Sequence, residues 1–222
     1  MTISVQKKRA RTTDEKRRKK RRILDAAKSV FLNHGYPSVT VEMITREAGV
    51  STGAFYLYYK TKLEIYKDLQ NEGLDILAEM MGAVFENSTA SPLEKLRQIA
   101  LCYVRFSRVH REFFDIIAVL SATPAELKET RSEIGRRIDS KTRRLLSSIE
   151  DVLKEGVEQG AFVPLDTWRA TGALWALMDG MLLLSERNNM ENVLKADMDE
   201  LIDQGLTMFF FGIVKQHTRR TS

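Results

Sequence analysis

Apolar residues recur at helical spacing along almost the whole of this 222-residue chain. Ile23, Ala26 and Val30 follow the i, i+3, i+7 pattern of one helix face, which predicts a helix over about residues 15–34 that ends at Gly35. Only four prolines interrupt the chain, and three of them stand where helices are expected to begin or break. The sequence therefore predicts an all-α fold.

Two short helices separated by the tetrapeptide AGVS come next. Thr40 is placed to cap the first of them, Gly49 ends it, and Ser51 caps the second. Ala48 is small enough to let the two helices cross closely. This spacing predicts a helix-turn-helix, and Thr61 is placed to cap the longer helix that follows.

The second short helix contains the aromatic block GAFYLYY. As a β-strand this block would need partner strands, and the sequence offers none. As a helix over residues 52–59 it buries Phe55 and Tyr59 one turn apart and leaves Tyr56 and Tyr58 on its flanks. The positions that then face outward are Gly53, Ala54 and Leu57.

The charge of the chain is strongly asymmetric. Residues 1–62 contain 15 Lys and Arg against 5 Asp and Glu, a net charge of +10, whereas residues 63–222 contain 20 against 25, a net charge of −5. A basic end on a mildly acidic body predicts that this end meets a polyanion. Most of residues 1–15 is expected to be a disordered basic arm, and the run KRRKKRR over 16–22 is expected to open the first helix near that polyanion.

Composition excludes several other classes of protein. The single cysteine, Cys102, rules out an intrachain disulfide and fits a reducing, cytoplasmic setting. The three histidines lie far apart, so no metal site is predicted. The longest apolar stretches are too short or are interrupted by Asp179, so no membrane span is predicted. No nucleophile with a base at defined spacing and no phosphate-binding glycine loop is present, so neither an enzyme nor a cofactor is expected.

The last two predicted helices, over about residues 166–187 and 196–217, are apolar around most of their circumference. Such helices must be buried on more than one side, either in the centre of a monomer or between two copies of the chain. We favour dimerisation, with glycines at 172, 180 and 205 allowing close approach of helices. The candidate interface residues are Trp168, Gly172, Met181, Leu182, Phe209, Phe210 and Ile213.

The segments ILDAAKSVFLNHGY, TVEMITREAGVS and GAFYLYYKTKLEI, in this order and spacing, resemble the DNA-binding domain of TetR-family transcriptional regulators. The resemblance covers about 50 residues, and the C-terminal part is similar only in its general all-helical form. It implies a helix-turn-helix domain over residues 16–62 and an all-helical effector-binding and dimerisation domain over 63–222. It also implies a homodimeric regulator, most often a repressor, that places two recognition helices in successive major grooves of a palindromic double-stranded DNA operator.

The resemblance assigns roles to individual residues. Tyr56, Tyr58 and Lys62 are expected to contact phosphates, and the N-caps Thr40 and Ser51 sit where helix N-termini face the DNA backbone. Base contacts are expected from Thr52, Ala54, Leu57 and Thr45, and Arg46 is a further phosphate or base contact. Gly53 is expected to allow close approach of the backbone to DNA. The family often has Lys and Thr at the positions of Thr52 and Ala54, so apolar contacts to thymine methyl groups replace a lysine contact to guanine.

The family also implies a small effector that releases the DNA. Aromatic and sulfur-containing residues of the body suggest an apolar cavity and therefore a hydrophobic effector. The candidate lining residues are Met81, Cys102, Tyr103, Phe106, His110, Phe114, Trp175 and Met178. Two other interpretations stay open, namely a DNA-binding protein that takes no ligand and, less favoured, a helical enzyme or membrane-surface protein.

Overall fold

A computed structural model describes residues 2–85, 89–118, 132–185 and 190–215, with side chains described from residue 13 onward and not at 185, 190 and 191. Nearly all of this part is helical, which confirms the predicted all-α class. The helices of the described residues are α1 (Thr2–Ser38), α2 (Val41–Glu47), α3 (Thr52–Tyr56), α4 (Lys62–Phe85), α5 (Pro92–Val109), α6 (Arg111–Ala118), α7 (Glu133–Glu158), α8 (Thr167–Ser185), α9 (Met190–Leu194) and α10 (Met198–Ile213).

Helix α1 breaks where the sequence predicts. Gly35 has φ 70°, a left-handed conformation that glycine adopts without strain, and the helical backbone is interrupted there before it resumes to Ser38. At the other end, the helix begins at Thr2, and the basic arm expected over residues 1–15 stays a prediction. Residues 2–22 contain neither Gly nor Pro and include eleven Lys and Arg, which are favourable residues in a helix.

The chain forms two compact units. Unit 1 comprises Met1–Gly73 and Asp115–Ile138, and unit 2 comprises Leu74–Phe114 and Asp139–Ser222. Helix α4 therefore continues from unit 1 into unit 2, and the division falls inside it rather than at its start. The domain boundary predicted at residue 62 stays a prediction.

Unit 1 is built around the first three helices and the beginning of α4. Its core contains the apolar face predicted for the first helix, represented by Ile23 and Ala27, which are both completely buried. Phe31, Tyr36 and Tyr66 pack as an aromatic group, with edge-on ring contacts of Tyr66 at 4.9 Å to each of the other two. Two buried side chains of α4, Tyr66 and Gln70, donate to the carbonyl oxygen of Ile116 at 3.1 and 3.2 Å.

Unit 2 is a helical body in which α8 packs against α10 and α5. Gly205 on α10 lies so close to α8 that a Cβ there would stand 2.7 Å from Met181 Sδ, which confirms the predicted close approach at this glycine. After α7, Gly160 turns the chain with φ 70° and Phe162 folds back under the helix. An isolated antiparallel bridge between Phe162 and Val214 then ties this turn to the end of α10.

Candidate nucleic-acid interface

The first two helices of the interface, α2 and α3, are joined as the sequence predicts. The Thr40 hydroxyl accepts from the backbone N–H of Met43 at 3.3 Å, and the Ser51 hydroxyl accepts from that of Ala54 at 3.2 Å, so both residues are N-caps. Between them Gly49 takes φ 59°. The result is a helix-turn-helix with two capped helix N-termini.

A buried layer holds α3 in place. Ile44 and Phe55 are completely buried and Tyr59 is 2% exposed, so the predicted core role of Tyr59 is confirmed. The Tyr59 hydroxyl donates to Asp68 Oδ2 at 2.9 Å, which satisfies the polar tip of this buried ring. Burial and the neighbouring Asp68 carboxylate raise the pKa of Tyr59 well above its ordinary value. Tyr59 is therefore a neutral hydrogen-bond donor.

The exposed face of α3 differs from the predicted one at one position. Thr52 and Gly53 are exposed, and Leu57, immediately after the helix, is 80% exposed. Ala54, however, is only 8% exposed, so its predicted outward position is corrected. Consecutive residues of a helix are about 100° apart, and the buried face of a helix is about as wide. Two neighbours can therefore both be buried, as Ala54 and Phe55 are here.

Helix α3 is also shorter than predicted. It ends at Tyr56, with Leu57 as its C-cap, instead of continuing to residue 59. Tyr56 is 54% exposed, while Tyr58 is half-buried and packs against the core of unit 1. Both hydroxyl groups, and the exposed side chains of Thr40, Arg46 and Ser51, stay predicted phosphate or base contacts.

Lys62 has partners within unit 1. Its ammonium group donates to the carbonyl oxygens of Tyr36 at 2.9 Å and Pro37 at 3.4 Å, and it lies 4.5 Å from the centre of the Tyr36 ring. The side chain therefore binds the end of α1 to the start of α4. A phosphate contact, as the resemblance implies, stays a prediction and would use the remaining ammonium proton or the backbone N–H.

Part of the basic run serves the fold of unit 1. Lys20 Nζ lies 2.9 Å from Asp68 Oδ2, Arg21 Nη1 lies 2.6 Å from Glu72 Oε1, and Arg22 Nη2 donates to the carbonyl oxygen of Gly49 at 3.1 Å. These pairs were not predicted. The available signal was the i, i+4 spacing of Asp68 and Glu72, which places two carboxylates on one face of α4.

The predicted effector residues differ in their exposure. Cys102, Phe106, Phe114 and Met178 are buried core residues, whereas Trp175 is 40% exposed. Two others have structural roles in unit 2. Tyr103 donates a hydrogen bond to Asp179 Oδ1 at 2.6 Å, and His110 is the C-cap of α5. Their part in effector binding stays a prediction.

Met81 alone among the predicted effector residues lines the described cavity of about 350 Å³, which lies between α4 and α7. This cavity was not predicted, because its lining is drawn from two helices far apart in sequence. The lining residues are Asp75, Ala78, Met81, Gly82, Phe85, Lys141, Arg144, Leu145 and Ser148.

The predicted dimer residues separate into three sets by exposure. Trp168 is 41% exposed and Gly172 is exposed, but Leu182, Phe210 and Ile213 are buried in unit 2, which corrects their predicted place at a surface. Met181 and Phe209 are half-buried. The large apolar side chains that α8 and α10 do expose are Trp168, Trp175, Met208 and Phe211, at 41, 40, 66 and 69%.

Among the described residues, no helix is both long and apolar enough to span a bilayer. That same part of the chain contains no group of three or more His, Cys, Asp or Glu residues arranged to hold a metal ion. What the geometry does provide is a capped helix-turn-helix with an exposed second helix. These features define a helix-turn-helix DNA-binding protein with a separate helical body.

Comparison with known proteins specifies the family. Residues 23–69 match the family model of bacterial regulatory proteins of the tetR family, and residues 96–209 match that of the tetracyclin repressor-like C-terminal domain. The chain belongs to the TetR family, as the sequence resemblance implied. It is therefore a DNA-binding transcriptional regulator and not an enzyme.

Several relatives show how far the likeness extends. The chain is 27% identical over 150 residues to the fatty acid metabolism regulator protein of Bacillus subtilis, covering 66% of this chain and 72% of the relative. Its fold is that of the transcriptional regulator FadR of Bacillus subtilis in complex with stearoyl-CoA, at 24% identity and a TM-score of 0.65, covering 86% of this chain and 98% of the other. It is also that of AibR in complex with isovaleryl coenzyme A and operator DNA, at 18% identity and a TM-score of 0.67, covering 86% and 98%.

Proposed function

We propose that this protein is a homodimeric cytoplasmic repressor that binds a palindromic operator and is released from it by a small hydrophobic effector. The observation that carries the proposal is the exposed end of the helix-turn-helix. Thr52, Gly53 and Leu57 are solvent-exposed, whereas Phe55 beneath them is fully buried. An exposed helix face of this kind, on a helix that is anchored in the core by Phe55, is suited to insertion into a DNA major groove.

The chemistry of this face predicts how the operator is read. Leu57 and the methyl group of Thr52 are apolar contacts for thymine C5-methyl groups, and neither position carries a side chain that would pair bidentately with guanine. The flanking Tyr56 and the exposed Arg46 then supply phosphate contacts, which fix position without reading sequence.

The homodimer is supported by the exposed apolar side chains of α8 and α10. Trp168, Trp175, Met208 and Phe211 belong to two helices that pack on each other, and each exposes two-fifths or more of its surface. Exposed apolar patches on a protein mark places where another molecule binds. A second copy of the same surface would cover them and would place two recognition helices on one DNA.

The effector class is inferred from the relatives. One is named for fatty acid metabolism, and two of the similar folds were solved with an acyl coenzyme A bound, in one case together with operator DNA. An acyl thioester joins an apolar chain to an anionic carrier. We therefore infer that the effector of this protein is an acyl-chain compound.

In-vitro selection of bound DNA from a random library tests the DNA part of the proposal. We expect a palindromic consensus whose half-sites lie about one helical turn apart. Leu57→Ser is expected to change the preferred base at one position of each half-site, whereas Leu32→Ser, at an exposed leucine of α1, is expected to leave the consensus unchanged. A consensus without two-fold symmetry would contradict the proposal that a homodimer binds the operator.

The effector part has its own test. The selected operator, labelled with a fluorophore, is titrated with the protein and then with stearoyl-CoA or isovaleryl-CoA while anisotropy is recorded. Release by one of these compounds, but not by coenzyme A alone, is the expected result. Retention of the DNA at saturating concentrations of both compounds would contradict an acyl effector.

A further inference from the structure

A glycine lies on the wall of the cavity between α4 and α7. Gly82 lies in the interior of α4 and lines the cavity, and a Cβ built there meets no heavy atom within 4 Å. Glycine in a helix interior is unfavourable relative to alanine. The glycines at 156 and 205 have a packing reason, because a Cβ at either position would stand under 3.0 Å from a neighbouring side chain. Gly82 has no such close neighbour, and the missing side chain leaves open space at the cavity wall.

The walls of the cavity are amphipathic. Helix α4 supplies a stripe from Asp75 to Phe85 that is about 15 Å long at the helical rise of 1.5 Å per residue. Between these ends the stripe is apolar, and Leu145 of α7 adds a further apolar group. Such a lining accepts an extended hydrocarbon chain.

One rim of the cavity is positively charged. Lys141, Arg144 and Ser148 follow i, i+3 and i+7 spacing along α7 and so share a helix face. Lys141 forms an ion pair with Asp75, and the Asp75 carboxylate neutralises the positive charge of Lys141. Arg144 is exposed and has no ion-pair or hydrogen-bond partner among the described residues. The lining as a whole therefore carries one uncompensated positive charge.

We propose that the α4–α7 cavity binds the acyl chain of an amphiphilic anion, with the anionic group held by Arg144 beside Lys141 and the chain lying across Gly82. The proposal rests on the proposed acyl effector and assigns it a place and a charge. The anionic group is either the carboxylate of a free fatty acid or the phosphates of its coenzyme A thioester, because a guanidinium binds both in the same way.

Isothermal titration of the full-length protein with laurate, lauroyl-CoA and dodecanol separates these features. Gly82→Phe fills the cavity and is expected to weaken binding of all three probes more than tenfold. Ala83→Phe adds the same ring at the neighbouring exposed position and is expected to bind like the wild type. Arg144→Gln is expected to weaken binding of the anionic probes about tenfold while leaving dodecanol binding unchanged.

The matched control for charge is Arg143→Gln, at an exposed arginine of α7 that does not line the cavity. Equal losses in Arg143→Gln and Arg144→Gln would mean general electrostatic attraction and would overturn the assignment of Arg144. Wild-type affinity in Gly82→Phe, or no binding of any probe by the wild type, would contradict the proposal that this cavity is the binding site. Laurate binding without lauroyl-CoA binding supports the carboxylate, and the reverse supports the thioester.

Anisotropy of operator DNA, measured in the same samples, keeps this proposal apart from the proposed function. Binding that depends on Gly82 and Arg144 but does not release the DNA would support the cavity and contradict the acyl effector as a releasing signal. Release of DNA that persists unchanged in Gly82→Phe would support the effector and contradict this cavity as its site.

Discussion

Glycine at position 156 is required by packing. It lies in α7, and a Cβ added there would stand 2.0 Å from Cδ2 of Phe162, a ring that is 2% exposed beneath the helix. The turn that contains Phe162 is held to the end of α10 by two backbone hydrogen bonds, in which Val163 N donates to the carbonyl oxygen of Ile213 and Lys215 N to that of Ala161. Phe162 therefore cannot move away from the helix easily.

Gly156→Ala is therefore expected to lower the free energy of unfolding by about 1–3 kcal/mol through overpacking. Urea denaturation followed by circular dichroism measures the change. Gly82→Ala is the matched control, because the added methyl group meets nothing within 4 Å and alanine is expected to stabilise the helix by up to about 1 kcal/mol. A Gly156→Ala variant as stable as the wild type would contradict the packing argument.

Lys62 has a structural role in addition to any contact with DNA. Lys62→Met keeps the aliphatic stem and removes the ammonium group that binds the Tyr36 and Pro37 carbonyl oxygens. We expect the free energy of unfolding to fall by about 1–2 kcal/mol, since the variant loses hydrogen bonds from a charged donor and a cation–π contact. Thermal unfolding and operator binding are measured together. A loss of DNA affinity at unchanged stability would mean that Lys62 acts only through phosphate.

Asp179 makes stability depend on pH. Burial raises the pKa of its carboxyl group above the ordinary value, although the hydrogen bond from Tyr103 opposes the rise. A carboxyl group with a higher pKa in the folded state contributes most to stability below its unfolded-state pKa, and this contribution is lost as pH rises through the folded-state pKa.

Asp179→Asn removes this titration. The free energy of unfolding of the variant is expected to decrease less than that of the wild type between acidic pH, below about 4, and neutral pH. Urea denaturation at a series of pH values provides the comparison, with Asp139→Asn, at an exposed position of α7, as the control that keeps the wild-type profile. Parallel profiles for wild type and Asp179→Asn would contradict the prediction.

At the scale of elements, α1 and the beginning of α4 are joined by charge as well as by the apolar core. Asp68 accepts a hydrogen bond from the Tyr59 hydroxyl and forms an ion pair with Lys20, and Glu72 forms an ion pair with Arg21. The Asp68 side chain is the less exposed of the two carboxylates, at 18% against 26%.

Asp68→Asn is therefore expected to be more destabilising than Glu72→Gln, since it also weakens the bond to a buried tyrosine. Each change is expected to be modest, about 1 kcal/mol or less for an ion pair that is partly exposed. Chemical denaturation compares both with Glu79→Gln, at an exposed position of α4. The opposite order of stabilities would contradict the role of the Tyr59 bond.

Element boundaries were predictable where a cap marks them. Thr40, Ser51 and Thr61 each accept from the backbone N–H three residues later, as their positions in the sequence indicate. The end of α3 was not predictable, because GAFYLYY contains no helix-stopping residue and the chain leaves the helix after Tyr56 while Tyr59 still packs in the core. The short α9 was not predicted at all.

At the scale of the molecule, the exposed apolar side chains of α8 and α10 set the expected assembly. Phe211→Glu places a charge where 69% of a phenylalanine is exposed, and charge at the centre of an apolar interface is strongly unfavourable. Sedimentation is expected to show a dimer for the wild type and a monomer for the variant, with a parallel loss of operator binding. Val193→Glu, at a residue of α9 that is also 69% exposed, is the matched control and is expected to stay dimeric. A dimeric Phe211→Glu variant would move the interface elsewhere.

The helical class, the helix-turn-helix and the family could be predicted from the sequence, because they depend on local signals such as periodicity, caps and a positive-φ glycine within about 50 residues. Tertiary structure alone decided which apolar residues are surface and which are core. Ala54, Phe210 and Ile213 lie inside, whereas Met208 and Phe211 lie outside, although all belong to equally apolar stretches. It also decided that Lys20, Arg21 and Lys62 have partners within unit 1 and that Gly82 lines a cavity. Such facts depend on which distant segment packs against a residue, and composition and spacing do not contain that information.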